Sequence, residues 1–148
     1  MDNIVIIDEK LEGSSANNFG DAVSHVFYEE LSQKKLNKVN FWSPELSYLT
    51  VGSVLQRTRK NHIIMGAGFI SERSPMGAYP HEILSVRGPK TREKLLSMGI
   101  TDCPEKYGDP LTIFPLVYDE EVDIEYHIGI IPHYADTQER SSINIFKE

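Results

Sequence analysis

Near the start of the chain Ile4, Val5, Ile6 and Ile7 form an unbroken apolar run. Asp8 and Glu9 end it, and a polar segment with Gly13, Ser14, Ser15, Asn17 and Asn18 follows. A short continuous apolar run closed by such a loop reads as an interior strand of a parallel sheet, where both faces are covered. Beyond the loop, Ala22, Val23, Val26, Phe27 and Leu31 recur at helical spacing. They predict one apolar helix face, with Asp21 as the N-cap. Strand, loop and helix open a parallel α/β unit.

The alternation continues along the chain. Val39–Trp42 reads as a second strand, His62–Met65 as a third and Ile83–Val86 as a fourth. Tyr126–Ile131, closed by Pro132, is the last. Gly52–Leu55 opens a short helical or irregular segment. Gly88-Pro89 starts a helix whose apolar face is Leu95, Leu96 and Met98 and whose C-cap is Gly99. The fold class expected is therefore α/β: a Rossmann-like parallel sheet with flanking helices. Ligands of such sheets bind outside the carboxyl ends of the strands, where glycines such as Gly66 and Gly68 fall.

Composition narrows this picture. A chain of 148 residues, 40% of them hydrophobic, suits one ordinary domain with a real core. No apolar run nears the roughly 20 residues that a membrane helix needs, and the opening segment does not read as a signal peptide. The single cysteine, Cys103, excludes an intramolecular disulfide and a cysteine-rich zinc site, and points to a reducing, cytoplasmic setting. The five histidines show no metal-ligand spacing, so no metal is expected. A net charge of −7 argues against a general nucleic-acid binder. The charge is unevenly spread, however: residues 57–94 hold eight bases and three acids, whereas 102–125 hold eight acids and one base. The basic middle either faces an anionic ligand or is a solvated surface.

Four segments could carry chemistry. In Asn17-Asn18-Phe19-Gly20-Asp21, Gly20 would let the backbone approach a ligand, helix N–H groups would hold it, and Asp21 would either orient an acceptor hydroxyl or only cap the helix. Gly66-Ala67-Gly68 is a two-glycine turn at a strand end. In Arg87-Gly88-Pro89-Lys90-Thr91-Arg92 a helix begins among cations, contrary to the preference of its dipole. Arg87 and Arg92 are thus candidates for a carboxylate or phosphate, the other reading being ion pairs to the acidic segment. Gly108-Asp109-Pro110 is a turn by composition. His133 and Asp136 follow the last strand, as site residues or as structural ones.

The strings NNFGDAVS, VGSVL, MGAGF, SVRGPKTREKLLSMGI, YGDPLTIFP and YHIGIIPHYAD follow one another between Asn17 and Asp136. In that order and spacing they resemble the polysaccharide pyruvyl transferase family. The resemblance implies the first lobe of a GT-B-type transferase, and transfer of a pyruvyl group from phosphoenolpyruvate to a hexose of a surface polysaccharide or its lipid-linked precursor. Phosphoenolpyruvate would be a co-substrate, with no cofactor. The substrate-binding residues implied are Asn18, Gly20, Asp21, Gly66, Gly68, Arg87, Thr91, Arg92 and Asp109, with Asp21 and His133 as catalytic candidates. The acceptor, a free or lipid-linked saccharide, implies work at the inner face of a membrane, and a lobe that exposes its partner surface implies self-association. The family's histidine-glycine motif matches none of His25, His62, His81, His127 and His133. The expectation is thus of a truncated, acceptor-side Rossmann-like lobe over 1–120, followed by a crossover strand and the start of a second lobe, otherwise absent, over 121–148, with no activity in the 1–148 chain alone. A non-catalytic binding module of the same fold and a nucleotide-sugar glycosyltransferase are the alternatives.

Overall fold

The computed structural model describes residues 5–7, 19–123 and 125–129, with the side chains of Val5, Asp21 and Ala22 left aside. Among these residues five short strands form one sheet: β1 (Val5–Ile7), β2 (Asn37–Val39), β3 (Ser47–Leu49), β4 (His62–Met65) and β5 (Glu82–Ser85). Their order is β2-β1-β3-β4-β5 and every pair is parallel. The expected α/β parallel sheet with flanking helices is present. This order places the topological switch point, where the connections change direction, between the carboxyl ends of β1 and β3.

Register decides which side chains share a face. Ile6 pairs with Tyr48, while Leu49 pairs with Ile64 and Ile64 with Ile83. Side chains alternate along a strand, so Ile7, Leu49, Ile64 and Ile83 point one way and Ile6 and Tyr48 the other. The first set joins Phe41, Val54, Leu55, Phe69, Val86, Leu95, Ile100 and Cys103 in one buried cluster. The helix α2 (Pro89–Ser97) covers this face through Leu95, which is fully buried. The helix α1 (Phe19–Ser32) lies on the other face, where its Tyr28 and Ser32 share an apolar cavity with Ile6, Tyr48 and Leu84.

Local chemistry accounts for the element ends. Pro89 opens α2 in the first turn, where its missing N–H costs nothing. The Gly99 N–H donates to Leu96 O (2.9 Å) and the Ile100 N–H to Leu95 O (3.0 Å), with Gly99 at φ +84°. This pair of bonds is a Schellman motif, and it swings Ile100 back into the core.

Several expectations change. The helix α1 begins at Phe19, so Asp21 is its third residue rather than its N-cap, and Gly20 has helical backbone instead of a loop conformation. On α1 the buried positions are Ser24 and Phe27, whereas Val26 and Leu31 are exposed: the helix turns a narrower stripe to the sheet than its apolar residues suggest. On α2 Met98 is exposed, because the Schellman turn starts there. The strand β2 ends at Val39, where the expected strand begins. The Asn40 side chain accepts the Trp42 N–H (2.9 Å) and Asn40 O accepts the Ser43 N–H (3.1 Å), and this Asx-type turn breaks the extended run. The strand β3 was not legible in the sequence. Residues 126–129 of the expected last strand carry no strand, while Ile130 and Ile131 lie outside the described residues.

Candidate functional site

The glycine turns and the RGPKTR segment meet at the carboxyl ends of β4 and β5. Backbone hydrogen bonds lock them together: Gly68 N–H to Gly52 O (2.9 Å), Leu55 N–H to Gly68 O (3.2 Å), Gly66 N–H to Ser85 O (3.0 Å) and Arg87 N–H to Ala67 O (3.1 Å). The YGDP segment joins through the Gly108 N–H to Val86 O (3.2 Å), with Val86 and Tyr107 in a parallel bridge. Segments up to forty or more positions apart in sequence thus make one loop cluster.

Each site residue named from the sequence has a definite place in this cluster or outside it. Gly66, at φ +94°, packs its bare Cα against Pro110; a Cβ there would stand 2.5 Å from Pro110 Cδ. Gly68 makes room for Arg87, whose Nε would lie 2.9 Å from an added Cβ. The Arg87 guanidinium donates to Ser53 Oγ (2.8 Å) and Phe69 O (3.0 Å). Arg92 turns away and donates from Nε to Cys103 O (3.2 Å). Among the described residues neither arginine pairs with a carboxylate, which sets aside the ion-pair reading of their charge. Asp109 caps the 3-10 helix Pro110–Leu116 by accepting the Leu111 N–H (3.1 Å). Asn18, the Asp21 side chain, His133 and Asp136 lie outside the described residues.

Arg87 and Thr91 come together on the wall of a cavity of about 530 Å³, which Phe69, Ser71, Glu72, Lys90 and Lys94 also line. Three cations, Arg87, Lys90 and Lys94, face one carboxylate, Glu72. The amino end of α2 opens here. Its N-cap Gly88 offers no side-chain cap, and no acid sits in its first turn. Gly88 O accepts the Thr91 and Arg92 N–H groups (3.1 and 3.3 Å), and the positive end of the helix dipole adds to the cationic field. Lys94 is fixed in place: Nζ donates to Ser71 O (3.0 Å) and Ser74 O and lies 4.0 Å from the centre of the Phe69 ring. Sequence reasoning missed Lys90 and Lys94. Their signal was available, since Lys90 and Lys94 are four apart on the helix that Pro89 opens and so share a side.

Two further groups lie near the strand ends. Burial pushes the Tyr28 hydroxyl well above its ordinary pKa; the Asp109 charge adds to this and the neighbouring Thr50 opposes it. That phenol stays protonated at neutral pH. The buried Cys103 thiol is likewise pushed up, chiefly by desolvation, against a smaller opposite pull from Arg92. Such a thiol is a poor nucleophile.

No protein-family model matches the chain, and no curated protein or solved structure matches it either. The family resemblance rests on the motifs themselves. No helix among the described residues is long and apolar enough to cross a membrane.

Proposed function

We propose that this α/β unit belongs to a polysaccharide pyruvyl transferase-like enzyme of surface-polysaccharide biosynthesis, as a lobe of a GT-B-like transferase, and that the cavity at Arg87 takes the anionic groups of phosphoenolpyruvate. The observation that carries this reading is the set of three cations around the amino end of α2, which has no side-chain cap, with no carboxylate among the described residues bound to Arg87. Phosphoenolpyruvate carries a phosphate and a carboxylate. A guanidinium binds either of them through paired N–H groups, and ammonium groups act as point charges beside it. The order of the sequence motifs supplies the second support, because VGSVL, MGAGF and RGPKTR, distant in the chain, interlock by backbone hydrogen bonds, and the last two contribute Phe69 and Arg87 to the cavity wall.

In the reaction a proton joins the methylene carbon, one hexose hydroxyl adds to the neighbouring carbon, and a second hydroxyl displaces phosphate to close the ketal. The cavity's part is to hold the donor and to stabilise the negative charge on the departing phosphate. None of its lining residues is a histidine, and Glu72 is the one carboxyl on its wall.

The test is calorimetric titration of the full chain with phosphoenolpyruvate, and in parallel with a uridine diphosphate sugar. Saturable binding of phosphoenolpyruvate, weakened about tenfold by Lys90→Gln through loss of one charged contact, is the expected result. Lys90 is exposed, so that change spares the fold. Binding of the nucleotide sugar alone, or no binding of either ligand, would overturn the reading.

A further inference from the structure

The cationic cavity has two walls. The segment from Phe69 to Glu72 forms one, and the start of α2, from Arg87 to Lys94, forms the other. The first wall runs into a tight turn. The Ser74 N–H donates to Ser71 O (3.2 Å), the Ser71 N–H donates to Ser74 Oγ (3.2 Å), and the two hydroxyls lie 3.1 Å apart. These bonds shape the turn but do not fasten it to the body of the protein. Apolar burial does little for it either, since Ile70 is 72% exposed and Ser71, Glu72 and Arg73 are exposed as well.

Lys94 supplies the fastening. From the second turn of α2 its Nζ reaches across to Ser71 O (3.0 Å) and to Ser74 O, and it lies 4.0 Å from the centre of the Phe69 ring. All three partners belong to the opposite wall. Lys90, one helical turn earlier on the same side, is exposed and makes no hydrogen bond or ion pair among the described residues. The two lysines sit in one field, and they differ in what each touches. To meet an anion Lys94 would have to give up two carbonyls and an aromatic face, whereas Lys90 gives up only water.

We propose that Lys94 is a positioning residue of this cavity: it ties the Phe69–Ser74 segment to α2 and so sets the width of the cleft, while Arg87 and Lys90 are the cations that touch the anion. The inference rests on the anion site proposed above, though not on which anion fills it. Loss of the tie leaves α2 in place, because Leu95 anchors that helix in the core. It frees the opposite wall, which an incoming anion must then order as it binds, at the expense of affinity.

Two measurements on the full chain separate the roles. Hydrogen exchange at the Ser71 and Ser74 amides, read by NMR without ligand, reports the tie. Calorimetric titration with phosphoenolpyruvate, and separately with pyrophosphate, reports the site. Lys94→Gln, with its circular dichroism unchanged, is expected to speed exchange of these amides about tenfold and to weaken both anions about tenfold. Lys94→Arg, which keeps charge and donors, is expected to restore both. Lys90→Gln is expected to weaken binding and leave the exchange as in the wild type. Unchanged exchange in Lys94→Gln would make Lys94 a contact for the anion instead and overturn the proposal. Faster exchange with wild-type affinity would overturn it too, by reducing the tie to a matter of stability. Wild-type protein that binds pyrophosphate but not phosphoenolpyruvate would overturn the transferase reading alone, and binding of neither anion would overturn both.

Discussion

Replacing Gly66 by alanine tests whether this glycine serves packing or ligand approach. Two costs follow from its surroundings. The backbone at φ +94° is one that an L side chain adopts only with strain, worth roughly 1–2 kcal/mol. The new methyl would also stand 2.5 Å from Pro110 Cδ and 2.6 Å from Pro110 Cγ, with Gly108 O at 3.0 Å. Overpacking of this kind costs about 1–3 kcal/mol. Reduced freedom of the unfolded chain returns roughly 0.4–1 kcal/mol. The net is a loss of about 2–4 kcal/mol, or on the order of 4–16 °C in Tm for a domain of this size. Urea denaturation followed by circular dichroism measures it. A double-mutant cycle separates the two causes. In a Pro110→Ala background the ring carbons are gone, so Gly66→Ala should then cost only the backbone part, about 1–2 kcal/mol. Additive effects, with coupling below about 0.5 kcal/mol, would refute the packing argument. Wild-type stability together with loss of phosphoenolpyruvate binding would make Gly66 a ligand-approach residue instead.

His62 is fully buried, and its Nδ1 accepts the Arg59 N–H (3.1 Å), so the imidazole is neutral with its proton on Nε2. Burial, helped by the Arg59 charge, holds its pKa below the ordinary 6.5; the unfolded chain therefore takes up the proton first, and stability should hold above pH 6.5 and fall as the pH drops below it. Urea midpoints between pH 7.5 and 5 should show a slope that His62→Phe reduces, and an unchanged slope would remove His62 as its source. Leu95 carries the contact of α2 with the core cluster, and Leu95→Ala is expected to cost about 2–5 kcal/mol, read from the same urea curves; a loss under about 1 kcal/mol would mean that α2 is not anchored there.

How much the sequence determined depends on how local the deciding interaction was. The strands at Val5–Ile7 and His62–Met65 were legible because an uninterrupted apolar run has one stable use in an α/β domain, a strand covered on both faces. The helix Pro89–Ser97 was legible at both ends, since Pro89 and Gly99 act on their own backbone. Its cationic first turn was equally plain in the letters, and so was the basic middle segment as a place to look for an anion.

What remained hidden was decided by partners far away in the chain. The strand β3 is three residues, Ser47–Leu49, with a polar residue first and no periodic signal, yet it sits between β1 and β4. Only pairing on both sides makes that segment a strand. Trp42 and Phe41 are neighbours with similar hydrophobicity, but the Asn40 turn sends Phe41 into the core and leaves Trp42 outside. Gly66 and Gly68 read as flexible turn residues; the fold shows that Pro110 and Arg87 fill the space beside them. Arg87 and Arg92 are equivalent in the sequence, and the fold separates them, one towards Ser53 and the cavity, the other towards Cys103. The sequence could settle propensity, charge and chain direction because these act within a turn or two of backbone. Which cations face one another, and which ring stays exposed, required the sheet to close first, because those contacts form only between segments that the strand order brings together.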